Sequence, residues 1–179
     1  MSNLFANRKN AWAVTSGYVA LIYLTLGPVG SLQLWLKSLG WQTFTSSAIL
    51  IVSIAMILYL IVIRLKRRSL MDLATLAAAG GMYAYIMEAF APYPSDRIHL
   101  VEYSILAALF YYTLKFDIQV RFVFVLSWVF TAMTGFVDEI IQSFLSTRTY
   151  DLNDMMINAM AAAVALITVG LVIEGDVRT

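Results

Sequence analysis

The sequence predicts an all-α integral membrane protein: one bundle of about six transmembrane helices, with both termini in the cytoplasm. Three observations carry that reading. First, 61% of the 179 residues are hydrophobic and the mean hydropathy is +0.78, whereas soluble domains run nearer ~45–50% apolar. No water-soluble core of this size buries that much apolar surface. Second, the apolar runs are continuous and about 20 residues long. They lack the period-two alternation of barrel strands, and only helices or closed barrels span lipid. Third, the basic residues fall mostly on one side of the spans so defined.

Taken in order, the first span is Ala11–Pro28, preceded by Arg8 and Lys9. Its only small-residue exit, Thr25-Leu26-Gly27, runs into Pro28, so it reads as an uncleaved span rather than a signal peptide. Residues 29–45 are amphipathic, with Leu32, Leu34, Trp35, Leu36, Leu39 and Trp41, and suggest an interfacial segment. The second and third spans are Ser46–Ile63 and Leu70–Phe90. Pro92 and Pro94 break the third helix, and Ser95 or Asp96 can cap the fourth, Ile98–Leu114. The fifth is Val120–Phe144. The sixth is Asp154–Ile173, with Asp151 or Asn153 as its cap. Each length is near the ~17–25 residues that a tilted helix needs. Ala77-Ala78-Ala79-Gly80-Gly81 and Ala159-Met160-Ala161-Ala162-Ala163 read as small-residue faces for close helix packing. No repeat or linker divides the chain, so residues 1–91 and 92–179 form one membrane domain.

Orientation follows from the charges. Arg8, Lys9, Arg64, Lys66, Arg67, Arg68, Lys115, Arg121 and Arg178 share one side, against Lys37, Arg97 and Arg148 on the other. Basic loops stay in the cytoplasm, so the expected location is the cytoplasmic (inner) membrane, multi-pass, with membrane lipids as surroundings. A net charge of +1 gives no sign of nucleic acid as a partner. The absence of cysteine excludes disulfides, a thiol nucleophile and thiolate metal sites.

Seven acidic side chains and the one histidine fall near the outer face: Glu88, Asp96, His99, Glu102, Asp138, Glu139, Asp151 and Asp154. Ionisable groups at or inside a bilayer are expensive and need a reason. His99, Glu102 and Tyr103 are spaced i, i+3, i+4 and share a helix face. Glu102 is expected to face the interior, with His99, Arg97 or Arg148 as partner. A carboxylate beside an imidazole prepares it for acid–base work. Asp138, Glu139 and Gln142 close the fifth span, with Glu139 and Gln142 expected on the inward face. Asp151, Asp154 and Asn158 form a stripe at i, i+3, i+7, and Asn158 needs an interhelical partner. Capping accounts for Asp96 and Asp151 on their own, and snorkelling for Arg97 and Arg148. His99 with Glu102, Glu139 and Asp154 offers a divalent cation an oxygen-rich set, but with one histidine no metal is expected, and no cofactor. There is no Gly-rich phosphate loop, no G-x-S-x-G and no H-E-x-x-H.

Taken in order, these clusters resemble the VanZ-like family of bacterial membrane proteins. The carrying residues are Asp96, Arg97, His99, Glu102 and Tyr103, then Gly135, Asp138, Glu139, Gln142, Arg148, Asp151, Asp154 and Asn158. Ser146 stands where the family often has proline, and Ala161 and Ala165 where glycines usually follow the asparagine. The resemblance implies an envelope context, because the founding member is linked to low-level teicoplanin resistance. It supplies no reaction.

Four functions remain open on the residues. One is a factor that binds an envelope lipid, cell-wall precursor or glycopeptide through Arg97, His99, Glu102, Tyr103, Asp138, Glu139, Gln142, Arg148, Asp151, Asp154 and Asn158. A second is an enzyme acting on a lipid-linked headgroup, with His99, Glu102 and Glu139 as catalytic candidates. A third, in which the clusters only clasp helices, is structural. A proton- or ion-coupled pathway ranks last, because the deep centres of the spans are almost free of charge.

Overall fold

A computed structural model describes residues 6–91, 93–148 and 150–175. Pro92, expected to help end the third span, and Arg178, counted in the charge asymmetry, lie outside the described residues. The described residues form six helices and no strand. These are α1 (Arg8–Ser38), α2 (Gln42–Leu58), α3 (Leu70–Phe90), α4 (Asp96–Leu114), α5 (Val120–Ser143) and α6 (Leu152–Thr168). Two of them finish in wider π-helical turns, α2 over Tyr59–Arg64 and α6 over Val169–Ile173.

Local chemistry explains most of the ends. Asn7 starts α1 by accepting the Asn10 N–H at 2.9 Å. Ser69 and Asp72 form a reciprocal capping box on α3. Asp151 caps α6 by accepting the Asn153 N–H at 2.8 Å. One boundary departs from expectation. The first helix does not stop at Pro28 but runs on to Ser38, so residues 29–38 continue it. Pro28 removes one N–H from the helix ladder, and the helix tolerates that loss. The stop comes at Gly40, whose φ of 74° is left-handed. There the Trp41 N–H reaches Leu36 O at 2.9 Å and the Gly40 N–H reaches Lys37 O at 3.0 Å, the double bond pattern of a Schellman cap.

Helix α4 is the hub, packing against α6, α5, α1 and α2. Its buried column is Asp96, His99, Leu100, Tyr103, Leu106, Ala107, Phe110, Tyr111, Thr113 and Leu114. Below Tyr103 this column meets Ile22 of α1, Val123 of α5, and Ala162, Leu166 and Val169 at the α6 end. A second apolar cluster joins Ile86, Leu100, Ile157, Ala161 and Val164 across α3, α4 and α6.

Helices α1, α2, α3, α5 and α6 are long and apolar enough to cross a membrane, α2 and α6 with their π-helical ends included. Their outer faces are bare. Ile51 and Val52 are 64% exposed and Leu70 is 85% exposed, an apolar surface far beyond what water-soluble monomers present. Helix α4, the expected fourth span, is not among these five, because it carries Asp96, Arg97 and Glu102. Its neighbours shield it, so its polarity is compatible with a central place.

The small-residue faces divide. Ala161 and Ala162 are fully buried. Gly80 and Gly81 face open space, whereas Ala79 beside them packs against the Ile86 cluster, so only part of the α3 face is used within the chain.

The ends of the bundle differ in chemistry. At one end Arg8 meets Asp117 at 2.5 Å, Lys115 meets Glu174 at 2.9 Å, and Arg67 donates to Ile173 O at 2.6 Å. The start of α1, the α2–α3 link, the α4–α5 turn and the end of α6 thus lie together. At the other end Arg97 donates to the Ser47 hydroxyl, and Gly30 lies against Thr147.

Candidate functional site

The polar end is built from four pieces of chain. The α4 start supplies His99, Glu102 and Tyr103, and the α5 end supplies Asp138, Glu139 and Gln142. The following loop carries Arg148 and Asp151, and the α6 start supplies Asp154 and Asn158. The second half of α1 closes the remaining side with Thr25, Val29 and Gln33.

Asp138 anchors the interior of the site. It is fully buried and accepts the Tyr103 hydroxyl at 2.7 Å. The same Oδ2 lies 4.0 Å from His99 Nδ1. On the other side of the imidazole, Nε2 lies 3.7 Å from Asp154 Oδ2. His99 therefore sits between two carboxylates from two different helices. Its ring stacks on Tyr103, with centroids 6.0 Å apart and planes 18° apart, which fixes its plane.

Glu139, also fully buried, points elsewhere. Its Oε2 accepts the Asp151 N–H at 3.0 Å, and Oε1 accepts from Gln142 Nε2 at 3.4 Å. Successive helix residues are turned about 100° from each other. Helix α5 packs against both α4 and α6. Asp138 therefore reaches α4 and Glu139 the N-terminal end of α6, so Asp138 faces inward as well as the expected Glu139 and Gln142.

Glu102 and Arg148 meet at a small cavity of about 10 Å³, which Gln33, Ser95, His99 and Thr25 also line. That volume suits about one water. The Arg148 Nε is buried without a hydrogen-bond partner. Glu102 has no ion pair within 4 Å among the described residues, so its expected charged partners are near but not clasped. Asn158 is fully buried, and neither of its amide atoms has a hydrogen-bond partner among the described residues. The interhelical partner expected for it is not formed.

Other expected members stand apart. Arg97 is bound to Ser47 and ties α4 to α2. Asp96 accepts the Tyr93 N–H at 2.9 Å and the Ser95 hydroxyl at 3.0 Å, fastening the turn before α4. Glu88 is exposed on α3 and joins none of these contacts. Thr25, Gly30 and Gln33 of α1 were not foreseen. Their signal is faint, a few small and polar residues in an otherwise apolar run.

The arrangement offers two chemistries. His99 between carboxylates can hold and pass a proton. Its ring, Glu139 and Asp154 also bring three metal-type donor atoms within 4.8 Å of one another. No family model, no curated protein and no solved structure matches the chain.

Proposed function

We propose that the chain is a VanZ-like, multi-pass protein of the cytoplasmic membrane whose outward polar end engages the headgroup of an envelope amphiphile. On this reading it crosses six times, with both termini inside, and α4 is the shielded fourth span. The ligand is a lipid, a cell-wall precursor or a glycopeptide such as teicoplanin. The single observation carrying the proposal is the Arg148 guanidinium, whose Nε is buried without a partner beside Glu102 and His99 at the cavity. A planar guanidinium is suited to a carboxylate or phosphate oxygen. The cavity of about 10 Å³ sets the limit: one oxygen enters, and the body of the ligand stays at the mouth.

The test compares Arg148→Ala with wild type in an expressing bacterium, reading teicoplanin resistance and the thermal stability of the detergent-extracted protein. The expected result is a stable protein without resistance, while Glu88→Gln behaves as wild type. An Arg148→Ala protein conferring full resistance overturns the proposal. Loss of stability and resistance in step supports the clasp reading instead.

One geometric feature favours a second reading, a membrane enzyme with His99 as acid or base. Asp138, rather than Glu102 or Glu139, is the carboxylate that faces Nδ1. Extracted lipids that differ between wild type and His99→Ala cells favour the enzyme; identical lipids favour binding.

A further inference from the structure

We propose that His99, Glu139 and Asp154 bind one divalent transition cation, which holds α4, α5 and α6 together at the polar end. This does not depend on the headgroup reading.

Distance is the first argument. The three donor atoms come from three helices and lie within 4.8 Å of one another. Ligands about 2.1–2.2 Å from a common ion lie at most about 4.4 Å apart. Shifts of a few tenths of an ångström therefore close the shell. One imidazole nitrogen with two carboxylates suits Mn²⁺ or Zn²⁺ better than the all-oxygen shells of Ca²⁺.

Charge is the second. Asp138 and Glu139 are fully buried and the Asp154 side chain is 13% exposed. Among the described residues, no Lys or Arg nitrogen lies within 4 Å of any of the three, and the one potentially cationic side chain within 4.0 Å is His99, beside Asp138 and Asp154. Buried carboxylates without a compensating charge are costly. A dication at this point supplies two positive charges in direct contact with the carboxylates, where within 4 Å the chain offers only the imidazole of His99.

Orientation is the third. A metal-bound histidine usually gives its other ring N–H to a carboxylate. Here Nε2 faces Asp154 and Nδ1 faces Asp138. His99 is 4% exposed, and its Nδ1 has no hydrogen-bond partner, so a closer approach of Asp138 is what the ring lacks. The Tyr103 hydroxyl already holds Asp138 in place. Gln142 and the Asp151 N–H hold Glu139 in the same way, which leaves its other lone pairs for the ion.

The test uses the full chain, purified in detergent and stripped with a chelator. Mn²⁺ is titrated in, and the free ion is read by electron paramagnetic resonance. The expected result is one saturable Mn²⁺ per chain, with a nitrogen coupling from His99 in the pulsed spectrum. Asp154→Asn and His99→Ala weaken binding at least about tenfold, and Asp138→Asn by roughly 10–100-fold as an orienting residue. Glu88→Gln, exposed on α3 and away from the three ligands, leaves affinity unchanged. No saturable binding by folded wild type, bound Mn²⁺ without nitrogen coupling, or full affinity in Asp154→Asn would overturn the site. If the variants do not fold, the wild-type nitrogen coupling still decides. No lipid or antibiotic enters the assay, so its failure leaves the Arg148 proposal standing.

Discussion

Gly135 has no room for a methyl group. A Cβ there lies 2.9 Å from Asn158 Nδ2 and 3.2 Å from Tyr103 Cε1. Both neighbours are fully buried and belong to other helices. Gly135→Ala therefore pushes α5 off α4 and α6 and is expected to cost about 1–3 kcal/mol, as overpacking does. Gly80→Ala meets nothing within 4 Å and stays within about 1 kcal/mol of wild type. Thermal unfolding of the two variants in one detergent checks the pair. At this scale much of the site was legible, because helix spacing alone puts Asp138, Glu139 and Gln142 near one another and His99 one turn from Tyr103. Which helix each side chain meets was not legible. Glu139 reaches the Asp151 backbone, a contact that depends on how the α5–α6 loop folds back. The contribution of Gln33 and Thr25 needed the path of α1 across the cavity, which no local pattern encodes.

Among the elements, α6 shows most directly how packing depends on side-chain size. Ala161 and Ala162 have no exposed surface, and small residues let membrane helices approach closely. Ala161→Leu is expected to destabilise by about 1–3 kcal/mol, whereas Ala78→Leu, on the exposed face of α3, is tolerated. The shift in unfolding temperature between the two separates a packed face from an open one. Helix existence was readable from apolar run length, and α3 falls at Leu70–Phe90 as expected. The end of α1 falls beyond the expected Pro28 because residues 29–38 continue the helix instead of opening a separate interfacial segment. Leu36 with Gly40 and Trp41 was the better signal, since a left-handed glycine flanked by two apolar residues closes a helix. Helix α4 was read as an ordinary span, yet its neighbours, not its own apolarity, give it its place.

Over the whole molecule, the two ends make a geometric claim that can be checked from outside the cell. Arg68 precedes α3 and Ser95 follows it, so they lie at opposite ends of one helix. The chain has no cysteine, so one introduced thiol reports alone. In intact cells Ser95→Cys is expected to react with a membrane-impermeant maleimide and Arg68→Cys only after lysis. Equal labelling of both rejects the six-span orientation. The expectation rests on short loops and on basic residues that fall on one side, and the labelling decides it. The central position of α4 has a further consequence, for biogenesis. A nascent segment carrying Asp96, Arg97, His99 and Glu102 gains little by leaving the insertion machinery for lipid on its own. Its partners α5 and α6 are synthesised afterwards. On the six-span reading, the last three helices therefore enter the bilayer as a group, and the polar end is assembled last, when α6 arrives.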